Sequence, residues 1–102
     1  MFRLEYLPAA RHDMVEIARY ISQELHNPSA AERLVMKMIA SAENLTGFPY
    51  ISPIHRTVKP LGYEYRKLLV DNYILFYWID ERTKTVTVAR VIYARRDYEK
   101  LL

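Results

Sequence analysis

The sequence predicts an α+β domain of order β-α-α-β-β-β, a helical hairpin packed on a mainly antiparallel sheet, with the makings of a short C-terminal helix. Three observations predict it. Two apolar stripes at helical spacing follow one another between Ala10 and Leu45; a two-residue turn, Asp71-Asn72, separates two β-rich runs; and a β-branched run, TVTVARVIYA, follows the polar turn DERTK. The 102 residues suit one domain spanning 1–102, long enough to bury roughly two-thirds of the surface of the unfolded chain. With 51% hydrophobic residues, two glycines and no low-complexity tract, the composition is that of an ordered globular protein.

FRLEYL, Phe2 to Leu7, alternates as a short strand and stops at Pro8. From Ala9 to about His26 the apolar positions Ala10, Met14, Ile17, Ala18, Ile21 and Leu25 lie on one helical stripe. NPSAAE opens a second helix in one of two ways: Asn27 caps it with Pro28 at N1, or Ser29 and Glu32 form a capping box. Its stripe, Ala31, Leu34, Val35, Met38, Ile39, Ala42 and Leu45, runs to the stop signals Gly47 and Pro49.

Gly47 to Gly62 holds three prolines and no helical period, a length of connection that usually has a function. YEYRKLLV, Asp71-Asn72 and YILFYWI then read as a hairpin. Tyr73 to Ile79 is apolar without a break, as expected of a central strand covered on both faces. In the last strand, strict alternation puts Arg90 on the same face as Val86, Val88 and Ile92. That is costly unless the arginine is paired, lies in an open cleft, or is rotated away by a bulge near Ala89.

The absence of cysteine removes disulfides, thiolate chemistry and sulfur-ligated metals and suits a reducing cytoplasm. Arg3 and Glu5 interrupt any signal-peptide core, and no apolar run approaches the ~18 residues of a membrane span. The expectation is a soluble cytoplasmic protein with no membrane partner. The net charge of +3 is unevenly spread: residues 1–52 carry five Lys/Arg against six Asp/Glu, a net of −1, and residues 53–102 carry ten against six, a net of +4. Such a bias suits a polyanion or an acidic protein.

His12, His26 and His55 have no i, i+4 partner, so surface or capping roles are expected and no metal is. No phosphate loop, nucleophile elbow or paired-carboxylate signature occurs, and no cofactor is implied. What remains is basic and aromatic: Arg66 and Lys67 on the first hairpin strand, Tyr93 and Arg95 at the end of the last, Arg96 and Tyr98 just beyond. Guanidinium groups and phenols grip phosphates and stack on bases, and an arginine beside a proton-transferring group can promote RNA cleavage. They equally serve as core-edge aromatics and as partners for Asp97 or Glu99. Tyr63, Tyr65, Tyr73, Tyr77 and Trp78 likewise read either as a stacking platform or as cross-strand packing pairs.

The blocks ARHDMVEIARYISQELHNPSAAERL, LTGFP and YEYRKLLVDNYILFYWIDERTKTVTVARVIYARRDYEKLL resemble, in order and spacing, the RelE/ParE superfamily of toxins from type II toxin-antitoxin modules. The resemblance implies a compact toxin neutralised by a cognate antitoxin whose C-terminal segment wraps on it. RelE-like members cleave mRNA on the ribosome; ParE-like members poison DNA gyrase and are not nucleases. Carried over, Arg66 matches the basic position on the first hairpin strand and Arg95 the arginine after the last strand. Tyr93 falls where relatives place a histidine or tyrosine, and Tyr98 stands in for a terminal tyrosine. Tyr73-Ile74 departs from the nucleases' Tyr-Arg, and their lysine-rich strand is reduced to Arg66-Lys67.

On these residues the leading expectation is an mRNA endonuclease with Arg66, Tyr93 and Arg95 catalytic and Lys67, Arg90, Arg96 and Tyr98 binding RNA. Its partners would be the cognate antitoxin, the ribosome and mRNA. The alternatives are a non-enzymatic inhibitor of DNA gyrase and an inactive antitoxin-binding module. The nuclease requires folding to bring Arg66 and Arg95 onto a shared hollow beside Tyr93.

Overall fold

The computed structural model describes residues 1–56 and 62–102. Its elements are β1 (Arg3–Tyr6), α1 (Pro8–Arg19) continued by a π-helical turn (Tyr20–Glu24), α2 (Pro28–Asn44), β2 (Arg66–Val70), β3 (Tyr73–Asp80), β4 (Thr85–Tyr93) and a 3-10 turn (Tyr98–Lys100). The strands form one sheet in the order β1-β4-β3-β2. β1 runs parallel to β4, and the other neighbours are antiparallel. The expected order and class are therefore observed; the C-terminal helix is reduced to a single 3-10 turn.

Pro8 is the first residue of α1 rather than only the end of β1, because an N1 proline loses no hydrogen bond and has its φ already set. Ala10, Met14, Ile17 and Ile21 face the core. Leu25 does not. The N–H of Leu25 reaches back five residues to the carbonyl of Tyr20 at 3.2 Å, and this wider turn shifts the helical phase so that Leu25 leaves the stripe. His26 then takes φ 52°, the left-handed geometry that ends helices. At the next helix, the Asn27 side chain accepts from the Ala30 N–H at 3.1 Å, so Asn27 caps α2 with Pro28 at N1. Ala31, Leu34, Met38, Ala42 and Leu45 are buried, whereas Ile39 from the expected stripe is 38% exposed.

Both helices cover one face of the sheet. Their side chains meet Val70, Leu75, Tyr77, Val86, Val88 and Val91 in the main core. The opposite face carries a second cluster, Ile74, Phe76 and Ile92, covered by Tyr65, Ala94, Tyr98, Leu101 and Leu102. This accounts for the unbroken apolar run in β3. The Tyr77 hydroxyl, buried with its ring, donates to the Pro49 carbonyl at 2.7 Å and fixes the loop after α2 to the sheet. On the outer edge of β2, the Ile54–Arg66 bridge lays residues 53–55 beside its first residues. Thr57 to Leu61, part of the long connection flagged from the sequence, lie outside the described residues.

β3 pairs Phe76 with Arg90 and Tyr77 with Val88, so Ala89 is a bulge. The bulge resolves the alternation conflict: Val86 and Val88 face the helices before it, Val91 after it, and Arg90 is turned off that face. Met38→Ala, which removes a fully buried side chain, is expected to cost ~2–5 kcal/mol of unfolding free energy. Ile39→Ala, on the half-open flank, is expected to cost much less, and urea denaturation of the two variants checks the contrast.

Candidate functional site

β1 ends at Tyr6, and its last bond to β4 runs from the Leu7 N–H to the Val88 carbonyl. Past that point no strand among the described residues lies beside the edge of β4, and α1 supplies Asp13. One carboxylate oxygen of Asp13 accepts the Val91 N–H at 2.9 Å and Arg90 Nε at 2.8 Å, and the other accepts Arg90 Nη2 at 3.0 Å. Arg90 Nη1 donates to the Leu101 carbonyl at 2.8 Å. The fork geometry of the guanidinium suits this bidentate grip. Arg90 thus joins α1, the bulged strand and the C-terminal tail. Its expected role toward RNA has to share the side chain with this structural one.

Tyr93 lies beyond Arg90, at the end of β4, paired with Tyr73; their ring centroids are 5.7 Å apart at 62°. Burial, then the neighbouring Tyr93 and Tyr20 phenols, raise the Tyr73 hydroxyl above its ordinary pKa of 10.0. Ala94 is tied to Asn72 and Arg96 to Tyr93 through backbone bonds, and Arg95 and Arg96 stand exposed in that turn. Arg96, Tyr93, Arg90 and Asp13 line a cleft of about 680 Å³ together with Tyr20 and Leu25.

Arg66 is elsewhere. It begins β2 and pairs with Tyr77, which pairs with Val88, whereas Tyr93 pairs with Tyr73, which pairs with Val70. The two rows are four residues apart along β2, about 13 Å at ~3.3 Å per residue, and the residues sit two strands apart, about 10 Å more across the sheet. On the face they share, the core side chains Leu68, Leu75 and Val91 lie between. The expected hollow holding Arg66, Tyr93 and Arg95 is not formed: register places the first at one end of the sheet and the other two at the opposite end. Arg66 donates to the Ser52 carbonyl at 2.7 Å and lies 5.0 Å from the Tyr50 ring centroid.

The remaining expected residues turn to the far face. Lys67 pairs with Phe76, and its N–H donates to the Pro53 carbonyl at 3.0 Å. Tyr98 packs against Phe76, ring centroids 5.2 Å apart, and against His55 at 5.6 Å. His55 is not at the surface as the sequence suggested. It is buried between Phe76 and Tyr98, with Nε2 3.3 Å from Glu99. Desolvation, then the charge of Lys67, lower its pKa below the ordinary 6.5, against the opposing pull of Glu99. A neutral imidazole enclosed in this way is placed to pack rather than to exchange protons with a bound substrate.

Around Arg66, Tyr63 stacks on Trp78 at 3.8 Å and 5°, and Tyr65 meets Trp78 edge-on at 5.8 Å. Both sequence readings of the aromatics have a place: Tyr77 is core, and Tyr63 and Tyr50 are exposed and line one hollow with Arg66 and Trp78. Reasoning from sequence missed Asp13, although the cost of burying Arg90 signalled that some carboxylate had to meet it.

A family model described as the ParE toxin of the type II toxin-antitoxin system, parDE, matches residues 4–98. The chain belongs to the ParE toxin family. This ParE-family chain is a toxin of a type II toxin-antitoxin system, and its fold is similar to solved relatives from both branches. A chain of the chromosomal ParDE system from P. aeruginosa aligns with TM-score 0.74 at 15% identity, covering 93% of this chain and 98% of that one. For the RelBE2 toxin-antitoxin complex from Mycobacterium tuberculosis the values are 0.66 and 18%, covering 90% and 96%. For the intact RelBE complex from E. coli they are 0.55 and 19%, covering 94% and 100%. No curated protein matches the sequence significantly. Among the described residues no helix of the ParE-family chain is long and apolar enough to cross a membrane.

Asp13→Ala leaves Arg90, about one-quarter exposed, without its counter-charge and the Val91 N–H without an acceptor. The expected loss is about 2–3 kcal/mol, and a double-mutant cycle with Arg90→Ala in urea denaturation reads the coupling. Because the folded-state pKa of His55 lies below its unfolded value, the unfolded chain binds more protons. The stability His55 contributes is present above pH 6.5 and is lost as pH falls from there toward the folded pKa. Denaturation at pH 7.5 and 5.0 is expected to show a smaller acid loss in His55→Phe than in the wild type.

Proposed function

We propose that this toxin acts by binding rather than by cutting, as a non-enzymatic inhibitor of DNA gyrase held inactive by its cognate antitoxin. The observation that carries this reading is the separation of Arg66 from Tyr93 and Arg95. Cleavage of RNA needs a phosphate-stabilising cation and a proton-transferring group within hydrogen-bond reach of one phosphodiester. Arg66 and Tyr93, whose strand positions are about 16 Å apart with packed core between them, do not meet that condition together, and of the arginines that share a cleft with Tyr93, Arg90 is engaged by Asp13 and Leu101.

Two further features support the reading. The one histidine enclosed by the described fold is held neutral among aromatic rings. The exposed aromatic side chains Tyr50 and Tyr63 that share a hollow with Arg66 are of a type enriched at protein interfaces. The ParE family match over residues 4–98 points the same way. The neighbours solved as toxin-antitoxin complexes support an antitoxin partner.

Purified toxin added to DNA gyrase is expected to block supercoiling, and cells expressing it should arrest with full-length messages. Single substitutions Arg66→Ala, Tyr93→Phe and Arg95→Ala should each weaken inhibition by less than about tenfold, the scale of a peripheral contact. In a nuclease the same changes would cost roughly a hundredfold or more. Messages cut during arrest, with gyrase unaffected, would overturn the proposal and restore the mRNA endonuclease.

A further inference from the structure

The connection that follows α2 carries apolar side chains that folding leaves in water. Phe48 is 63%, Tyr50 53% and Ile51 62% exposed, while Ser52 beside them is buried. Yet the backbone of the same stretch is fastened at three points. Tyr77 Oη donates to the Pro49 carbonyl at 2.7 Å, Arg66 Nη1 to the Ser52 carbonyl at 2.7 Å, and the Lys67 N–H to the Pro53 carbonyl at 3.0 Å. Prolines at 49 and 53 restrict it further. A mobile loop would lose much of its binding energy to ordering, whereas this one is ordered when the chain folds. Apolar groups held outward on a fixed backbone are what a binding loop requires.

Two separate hollows lie against this stretch. One, of about 140 Å³, joins Tyr50 to Tyr63, Trp78, Glu64 and Arg66. The other, of about 490 Å³, joins Ile51, Ser52 and Pro53 to Lys67 and Leu69 of β2. Residues 48–53 therefore form a ridge between two depressions.

The chemistry of the ridge selects among partners. GFPYISP, residues 47–53, holds no charge, and the smaller hollow sets one carboxylate, Glu64, against one guanidinium, Arg66. A polyanion finds no net attraction there, whereas surfaces that bind nucleic acid are strongly cationic. The exposed Arg95 and Arg96 belong to the opposite end of the sheet. Trp, Tyr and Arg, gathered here around one hollow, are the residue types that dominate the binding energy of protein interfaces. A rigid apolar ridge fits a cleft on a larger protein, as inhibitor loops fit enzymes with little change of shape. An extended segment that wraps on the toxin offers no such cleft.

We infer that residues 48–53 are the part of the toxin that enters its target, a cleft of DNA gyrase, with Tyr50 and Ile51 as apolar anchors. The Tyr63–Trp78 stack, 3.8 Å between centroids, receives an apolar side chain from the rim of that cleft. The inference rests on the proposed inhibition of gyrase and assigns the surface that performs it. The length and the prolines of the connection then have a purpose, since a tight turn from α2 into β2 would present no ridge.

The test uses the full-length toxin, purified gyrase and the antitoxin encoded beside the toxin. Ile51→Asp and Tyr50→Ala are each expected to weaken both the inhibition of supercoiling and the direct affinity for gyrase about thirtyfold or more. Tyr50→Phe, which keeps the ring, should stay within about threefold of wild type. Melting temperatures and antitoxin affinity should remain near wild type in all three, because these side chains are exposed. Wild-type inhibition by both Ile51→Asp and Tyr50→Ala overturns the inference and leaves the proposed target standing. A loss of affinity for the antitoxin, or for a single-stranded RNA, as large as the loss for gyrase overturns it as well, by giving the ridge to another partner. A wild-type toxin that leaves supercoiling unchanged removes the target and the inference together.

Discussion

The arrangement of this toxin depends on one carboxylate. Asp13 sits where β1 runs out and β4 continues alone, and it satisfies at once a strand N–H and a guanidinium that the bulge has turned to the sheet edge. An unaccompanied arginine there would carry the cost of a partly desolvated charge, and an unaccompanied Val91 N–H that of a lost hydrogen bond. Neutralising both through one residue of α1 fixes the helix against the sheet in a single position. Arg90 then passes the constraint on to the carbonyl of Leu101, so the tail that covers Ile74, Phe76 and Ile92 is registered to the same point. The helix hairpin, the bulge and the second core are held by one ionic hub.

The hub also decides which basic residues stay available. Arg90 is engaged with Asp13 and Leu101, and Arg66 is folded onto the Ser52 carbonyl and the Tyr50 ring. Arg95 and Arg96 are left facing solvent. Among the described residues, Arg66 and the Arg95–Arg96 pair therefore form two separate basic zones at opposite ends of the sheet. A protein partner can address such zones independently, whereas a single bound phosphodiester cannot span them.

The fold was legible in the chain because its signals are local. The stripe from Ala31 to Leu45, the Asp71-Asn72 turn and the unbroken run of β3 each state a period or a stop within a few residues. Even the bulge was foreshadowed, since Arg90 in strict alternation would have fallen among valines. The site was not legible to the same degree, because it depends on register. Whether Arg66 meets Arg95 is set by which residue of β2 faces which residue of β3 and β4, and chain spacing does not encode that pairing. The exposure of Leu25 was hidden for another reason: apolar periodicity assumes 3.6 residues per turn, and the wider turn at Tyr20 breaks the assumption without any glycine or proline to announce it. His55 looked like a loop residue and is enclosed because the C-terminal tail returns over it.

The parallel pairing of β1 with β4 has a bearing on how the molecule comes into being. Arg3 lies opposite Thr85 and Tyr6 opposite Val88, so β1 has no neighbour in the sheet until β4 has been made. Closing that long interval is entropically slow compared with forming either helix. A nascent chain can assemble its hairpin of helices early, but the four-stranded sheet must await β4. Any surface built across the finished sheet is thereby completed only once β4 has taken its place beside β1.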